Sequence, residues 1–197
     1  SFLWPKNMKP LLVMAPKRLP QAATVAKPGV VPAEGERRLR VALLTGCAQQ
    51  VLGPQINDAS VRLLTRLGAE VVIPKDMGCC GALTFHMGER KRSRKLMAHN
   101  IEVWHRELEG EGLDAIVLNT SGCGTAVREY DYIFRHDPKL ADKARVVTER
   151  VRELFSLPRK QTRTCLRGIL TSMPLVLALV RRQLRRRLQH LRQPLNW

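Results

Sequence analysis

The chain has 197 residues and a formal charge of +17, which is length enough for one domain with appendages. Residues 1–40 hold eight Lys or Arg against two acids, residues 41–156 sixteen against fifteen, and residues 157–197 ten against none. The basicity thus belongs to the ends, which argues against a nucleic-acid-reading domain, whose basic patch sits on the folded unit itself.

No segment reaches the ~20 apolar residues of a membrane span, and the longest apolar run is MPLVLALV at 173–180. The chain opens on Ser1 without the pattern of a signal peptide, so it reads as an internal fragment or a trimmed chain. Five cysteines in such a chain favour reduced thiols or metal ligands over a disulfide framework, with the cytoplasm as the default compartment.

Residues 1–38 contain six of the twelve prolines and little periodicity, and they read as a linker or extended arm. Val41–Leu44 is a short aliphatic run that predicts a buried strand ending at Gly46-Cys47. A helix is expected next, on Ile56, Ser60, Leu63 and Leu67, with Asn57 or Asp58 as its cap and Gly68 closing it. AEVVIP predicts a second strand stopped by Pro74, and GCCG follows as a turn. A long helix from about Met87 to Leu108 carries Met97, Ile101, Trp104 and Leu108 on one stripe.

Ala115–Leu118 is the third expected strand, running into a Gly-rich turn. Beyond it TAVREYDYIFRH and residues 138–155 are predicted helices, the latter on Ala144, Val147, Val151 and Leu154. The order β-α-β-α-β-α implies parallel strands and an α/β, three-layer sandwich with a short parallel sheet. That domain spans 39–157. A basic tail at 158–197 has no acid and carries a candidate amphipathic helix around Leu175–Leu191, suited to a membrane surface or an acidic partner.

Cys47 ends the first strand, Cys79 and Cys80 follow the second, and Cys123 follows the third. In a parallel sheet these positions share the carboxyl edge, where α/β proteins place their ligands. Gly46, Gly78, Gly81, Gly122 and Gly124 flank the cysteines and leave room for a bulky group. Four thiolates carry a charge that a metal or cluster offsets, and soft sulfur selects zinc, iron–sulfur or cuprous copper. The plainer reading is four buried, inert cysteines, because free Cys packs as a small hydrophobe.

GCAQQVLGPQIN, GCCGAL followed by His86, and NTSGCGTAVREY resemble the cysteine-rich domain shared by heterodisulfide reductase-type proteins and the iron–sulfur subunit of glycolate oxidase. The likeness covers roughly residues 40–156 and is nearest to the glycolate oxidase subunit. It implies an electron-transfer subunit, not catalytic alone, working with flavin-containing subunits that oxidise glycolate to glyoxylate. Cys47, Cys79, Cys80 and Cys123 match the motif's cysteines, which implies that they bind an iron–sulfur cluster, 4Fe-4S being one candidate type. Thr120 stands where the first Cys of the later C-x-x-C belongs, leaving four sulfurs rather than five. The family's N-terminal ferredoxin-like region and second CCG repeat have no counterpart here. The setting of Cys165 does not match a second repeat, and the tail reads as either a truncation or frameshift product or a genuine basic helix.

Two readings from other classes stand beside this one. A zinc-stabilised, non-catalytic interaction domain would use the same four cysteines. A pseudo-module would bind membranes or anionic polymers through its tail. His86 is either a supplementary ligand or a helix-entry histidine, and the run ERKRSRK at 89–95 either steers an acidic partner or forms a solvated face. His99, His105 and His136 read as surface residues. Trp104, Tyr130 and Tyr132 read as packing. No Ser-His-Asp triad, P-loop, paired carboxylates or flavin site is evident.

Overall fold

The computed structural model describes residues 20–154. The start of the arm, Cys165 and the candidate helix at Leu175–Leu191 lie outside the described residues. Strands β1 (Gly29–Val31), β2 (Leu39–Leu44), β3 (Ala69–Ile73), β4 (Ala115–Leu118) and β5 (Val151–Glu153) form one sheet in the order β1-β3-β2-β4-β5. The β2, β3, β4 and β5 pairings are parallel, and only β1 runs antiparallel, along β3. Helices α1 (Gln49–Leu52), α2 (Pro54–Arg66), α3 (Ala82–His86), α4 (Arg90–Glu109), α5 (Ser121–Arg128), α6 (Tyr130–Phe134) and α7 (Ala141–Arg150) fill the connections. The expected α/β class and parallel core are present.

Alternation along the strands sorts the core into two faces. Ala42, Leu44, Val72, Ile116 and Leu118 share one core with Met97, Ile101 and Trp104 of α4, Tyr130 and Phe134 of α6, and Ala144 and Val147 of α7. Val41, Leu43, Val71 and Val117 are equally buried and point to the opposite face. There α2 lies beside β3 and buries Val61 and Leu64.

Several expectations change. The first expected helix, α2, starts at Pro54, not at Asn57, and buries Asn57, Ser60, Val61, Leu64 and Thr65, while Ile56 and Leu63 are exposed. Asp58 does not cap it; its carboxylate accepts from Thr24 N–H at 2.9 Å and Thr24 Oγ1 at 2.7 Å. The long helix expected from about Met87 to Leu108 is α4, beginning at Arg90; a short helix not expected, α3, precedes it, and Gly88 at φ +81° turns the chain between the two. The Gly-rich turn after β4 is the first turn of α5.

The helix read over 138–155 stops at Arg150. Val151 instead pairs with Ile116 and covers the edge of β4 that would otherwise lie open. Within the proline-rich stretch, Gly29–Val31 is an edge strand bounded by Pro28 and Pro32, residues whose missing N–H is tolerated at a sheet edge.

Candidate functional site

The strand order fixes where the site lies. The chain leaves β2 for β3 on one side, then crosses back over β2 to reach β4 on the other. The connections therefore diverge at β2, and such a divergence opens a crevice beyond the carboxyl ends of the strands. Cys47 follows β2, Cys79 and Cys80 follow β3, and Cys123 sits in the first turn of α5 after β4. All four line one cavity of about 280 Å³, with Gly46, Ala82, Leu83, His86, Thr120 and Gly122.

Within the cavity the thiols stand in pairs. Cys47 Sγ lies 3.3 Å from Cys79 Sγ, and Cys80 Sγ lies 3.2 Å from Cys123 Sγ. The two neighbours of the doublet thus serve different partners. Cys47 is exposed, Cys79 and Cys123 are half-buried, and Cys80 is 4% exposed.

Buried polar side chains hold the GCCG turn. Asn100 Oδ1 accepts the Gly78 N–H at 2.8 Å, and Asn100 Nδ2 donates to the Cys79 carbonyl at 2.9 Å. The Tyr130 hydroxyl donates to the Cys80 carbonyl at 2.7 Å, and Ser93 Oγ donates to the Gly81 carbonyl at 2.9 Å. Gly81 adopts φ +81°, and a Cβ there would lie 3.0 Å from the Ser93 carbonyl oxygen. Only glycine fits that corner without strain.

A second network ties the Cys47 turn to the Cys123 turn. Gln49 Nε2 donates to Asn119 Oδ1 at 2.8 Å, Asn119 Nδ2 donates to Ser60 Oγ at 2.9 Å, and Asn57 Nδ2 donates to the Thr45 carbonyl at 2.8 Å. The Thr120 hydroxyl donates to Gln49 Oε1. Thr120 thus lines the cavity without offering a sulfur.

The sequence missed these supports, although a signal was present. Ser93 and Asn100 share the helical stripe of Met97, Ile101 and Trp104, and a polar residue at a core position needs a partner. Tyr130, read as packing, is fully buried but also carries the bond to Cys80. Trp104 is core, as expected.

The four sulfurs also sense one another electrostatically. The Cys123 thiol beside it draws the Cys80 thiol down to about 6, and the Ala82 N–H assists while burial opposes. Cys123 is held far above the ordinary thiol range by the same contact and by burial. Burial pushes Cys79 up to about 11, against the pull of the Gly81 N–H at 3.5 Å. The N-terminus of α5 adds a positive dipole end beside Cys123.

This donor set suits a soft metal centre: four convergent sulfurs in one cavity, with backbone N–H groups directed at two of them. Among the described residues, no group of three His, Cys, Asp or Glu already surrounds a cation position. The pairs must first open. Zn–S bonds of about 2.3 Å already set tetrahedral sulfurs roughly 3.8 Å apart.

His86 lines the cavity from α3, and its ring meets Phe85 edge-on. In the basic run, Ser93 is buried, and Arg94 pairs with Asp137 at 3.0 Å and stacks on Phe134. Arg90, Lys91 and Lys95 are exposed. His99 Nε2 meets the Asp76 carbonyl at 2.6 Å, and His105 pairs with Glu109.

Residues 41–128, which carry all four cysteines, match the cysteine-rich domain family known as CCG. The chain carries a CCG cysteine-rich domain. Its CCG domain and flanks are 38% identical over 144 residues to the glycolate oxidase iron-sulfur subunit of Escherichia coli (strain K12), covering 73% of this chain and 34% of that protein. The probable glycolate oxidase iron-sulfur subunit of Bacillus subtilis (strain 168) is 31% identical over 131 residues, covering 66% and 29%. Lactate utilization protein A of the same organism is 32% identical over 116 residues, covering 59% and 46%. The chain thus spans about a third of the length of the first two relatives. No solved structure matches it.

Proposed function

We propose that this CCG domain is the iron–sulfur module of an oxidoreductase complex of the glycolate oxidase kind. The observation that carries this reading is the convergence of Cys47, Cys79, Cys80 and Cys123 on one cavity at the switch point of the sheet. The four cysteines would hold the cluster, which supplies one-electron transfer when bound. The chain's own part is positional. Asn100, Ser93 and Tyr130 fix the GCCG turn, and the Gln49–Asn57–Asn119 network fixes the other two turns. Backbone N–H groups of Gly81 and Ala82 stabilise negative charge on sulfur.

The relatives' names support a 2-hydroxy acid as the substrate of the assembled complex, and the 38% identity to the Escherichia coli glycolate oxidase subunit, against 32% to lactate utilization protein A, favours glycolate over lactate. Oxidation of such an acid needs a hydride acceptor, so the partners proposed are flavin-containing subunits, with this module passing their electrons onward. The compartment proposed is the cytoplasm, where thiols stay reduced. No helix among the described residues is long and apolar enough to cross a membrane.

A structural zinc ion is the second reading, favoured by the four cysteines lining one cavity, the donor number of a tetrahedral zinc site. Anaerobic purification of the full chain decides between them. A brown protein with iron and acid-labile sulfide is expected. Stoichiometric zinc without sulfide selects the second reading, and a colourless, iron-free protein after reconstitution with ferrous iron and sulfide overturns the first.

A further inference from the structure

We propose that the four cysteines form two redox-active dithiols, Cys47 with Cys79 and Cys80 with Cys123, which close reversibly into disulfides in the cofactor-free chain. Convergence on a metal requires only that four sulfurs surround one point. This structure shows more: each sulfur has a close partner on another turn, at 3.3 Å in one pair and 3.2 Å in the other. A disulfide bond is about 2.05 Å long, so closure requires the two sulfurs of each pair to approach by about 1.2 Å. The backbones around both pairs are already fixed. Asn100 and Tyr130 clamp the Cys79 and Cys80 carbonyls, and the Gln49–Asn119 bond ties the Cys47 turn to the start of α5. Cys79 and Cys80 each meet a partner on another turn, and the competing vicinal bridge is a tight ring that strains the intervening peptide.

Glutathione disulfide is an oxidant of the right class. Cys47, the exposed thiol, attacks as its thiolate on one glutathione sulfur. A Cys47–glutathione bond forms, the glutathione S–S bond breaks, and one glutathione thiolate leaves. Cys79 then attacks the Cys47 sulfur, forming the Cys47–Cys79 bond and releasing the second glutathione. Two protein thiols are oxidised, one glutathione disulfide is reduced to two thiols, and the two cysteine protons end on those thiols. Cys80 and Cys123 follow by the same exchange but more slowly, because Cys80 is 4% exposed. Each bridge removes two of the four sulfurs lining the cavity, so the oxidised chain has no thiolates left there for a metal. Loading of the site is thereby gated by thiol redox state. The pairing requires no metal and goes beyond the proposed function.

The test uses the full cofactor-free chain, reduced, desalted anaerobically and titrated with glutathione disulfide. Samples are alkylated and mapped by non-reducing proteolysis and mass spectrometry, with zinc uptake as a second readout. Cys47–Cys79 should form first and Cys80–Cys123 later. Zinc uptake by the cavity should fall as the bridges form and return on adding dithiothreitol. Dominant Cys79–Cys80 or Cys47–Cys123 bridges, bridges to Cys165, lasting glutathione adducts or undiminished zinc uptake overturn the proposal. In Cys79→Ser, Cys47 should remain a glutathione adduct while Cys80–Cys123 still closes; loss of both bridges overturns the independence of the pairs. A chain that never takes up iron but maps to these two bridges refutes the iron–sulfur reading and leaves this one standing.

Discussion

The Tyr130 hydroxyl donates to the Cys80 carbonyl at 2.7 Å, linking a residue of the hydrophobic core to the centre of the cysteine doublet. Tyr130 is fully buried and comes from α6, fifty residues along the chain. The turn that presents Cys79 and Cys80 is therefore tied directly to the core that Tyr130 packs into.

Tyr130→Phe keeps the ring packing and orphans a buried carbonyl, which should cost about 1–2 kcal/mol. Urea unfolding of the cofactor-free chain should show a lower midpoint at unchanged slope. An unaltered midpoint would show that the hydroxyl holds nothing.

Asn100→Ala removes the acceptor for Gly78 N–H and the donor to the Cys79 carbonyl in a fully buried position. The expected loss is about 2–4 kcal/mol, together with weaker metal retention because the doublet is no longer held. Iron or zinc content after desalting, measured beside the unfolding midpoint, checks both parts.

Gly81 and Gly122 look alike in the sequence, each next to or one residue from a cysteine. Gly81→Ala places a Cβ at φ +81°, 3.0 Å from the Ser93 carbonyl oxygen, and should destabilise by about 1–2 kcal/mol or more. Gly122 lies in α5 with nothing within 4 Å of its missing Cβ, so Gly122→Ala should be neutral or stabilise by up to about 1 kcal/mol. Equal effects of the two substitutions would contradict the conformation of the turn.

Thiol titration makes the stability of the cofactor-free chain depend on pH. Cys80 loses its proton near pH 6 when folded, against 9.0 as its ordinary value. Between these limits the unfolded chain holds the extra proton, so stability rises with pH. Cys79, raised to about 11, and Cys123, also raised, act oppositely: above pH 9 the unfolded chain sheds protons that the folded chain keeps, and stability falls. Urea midpoints under reducing conditions should therefore climb from pH 6 towards 9 and then decline. Cys80→Ser should flatten the climb.

Single Cys→Ser substitutions at 47, 79, 80 and 123 should each lower bound iron and sulfide strongly, since each removes one of four sulfurs lining the cavity. Full cofactor retention in any one variant would remove that residue from the proposed ligand set.

The stripe of Met97, Ile101 and Trp104 was legible because those residues are apolar and their burial follows from helical spacing alone. The stripe of Ile56 and Leu63 misled for a related reason. The inner face of α2 is partly polar, with Asn57 and Ser60 bonding Asn119 and Thr65 bonding Glu34, so its apolar residues were left outside. The final helix was overextended because Val151 satisfies helical spacing and strand pairing equally well, and only the open edge of β4 decides between them.

The sequence by itself determined the β-α-β order, the short apolar strands and the place of each cysteine just beyond a strand's carboxyl end. These follow from local spacing, turn residues and the handedness of parallel crossovers. Tertiary structure alone decided that β2 lies between β3 and β4, that Cys47 faces Cys79 while Cys80 faces Cys123, and that Asn100 and Tyr130 anchor the turn. Those partners lie between 21 and 50 residues apart. Packing brings them together, and no local pattern in the chain records which distant side chain a buried polar group or thiol will meet.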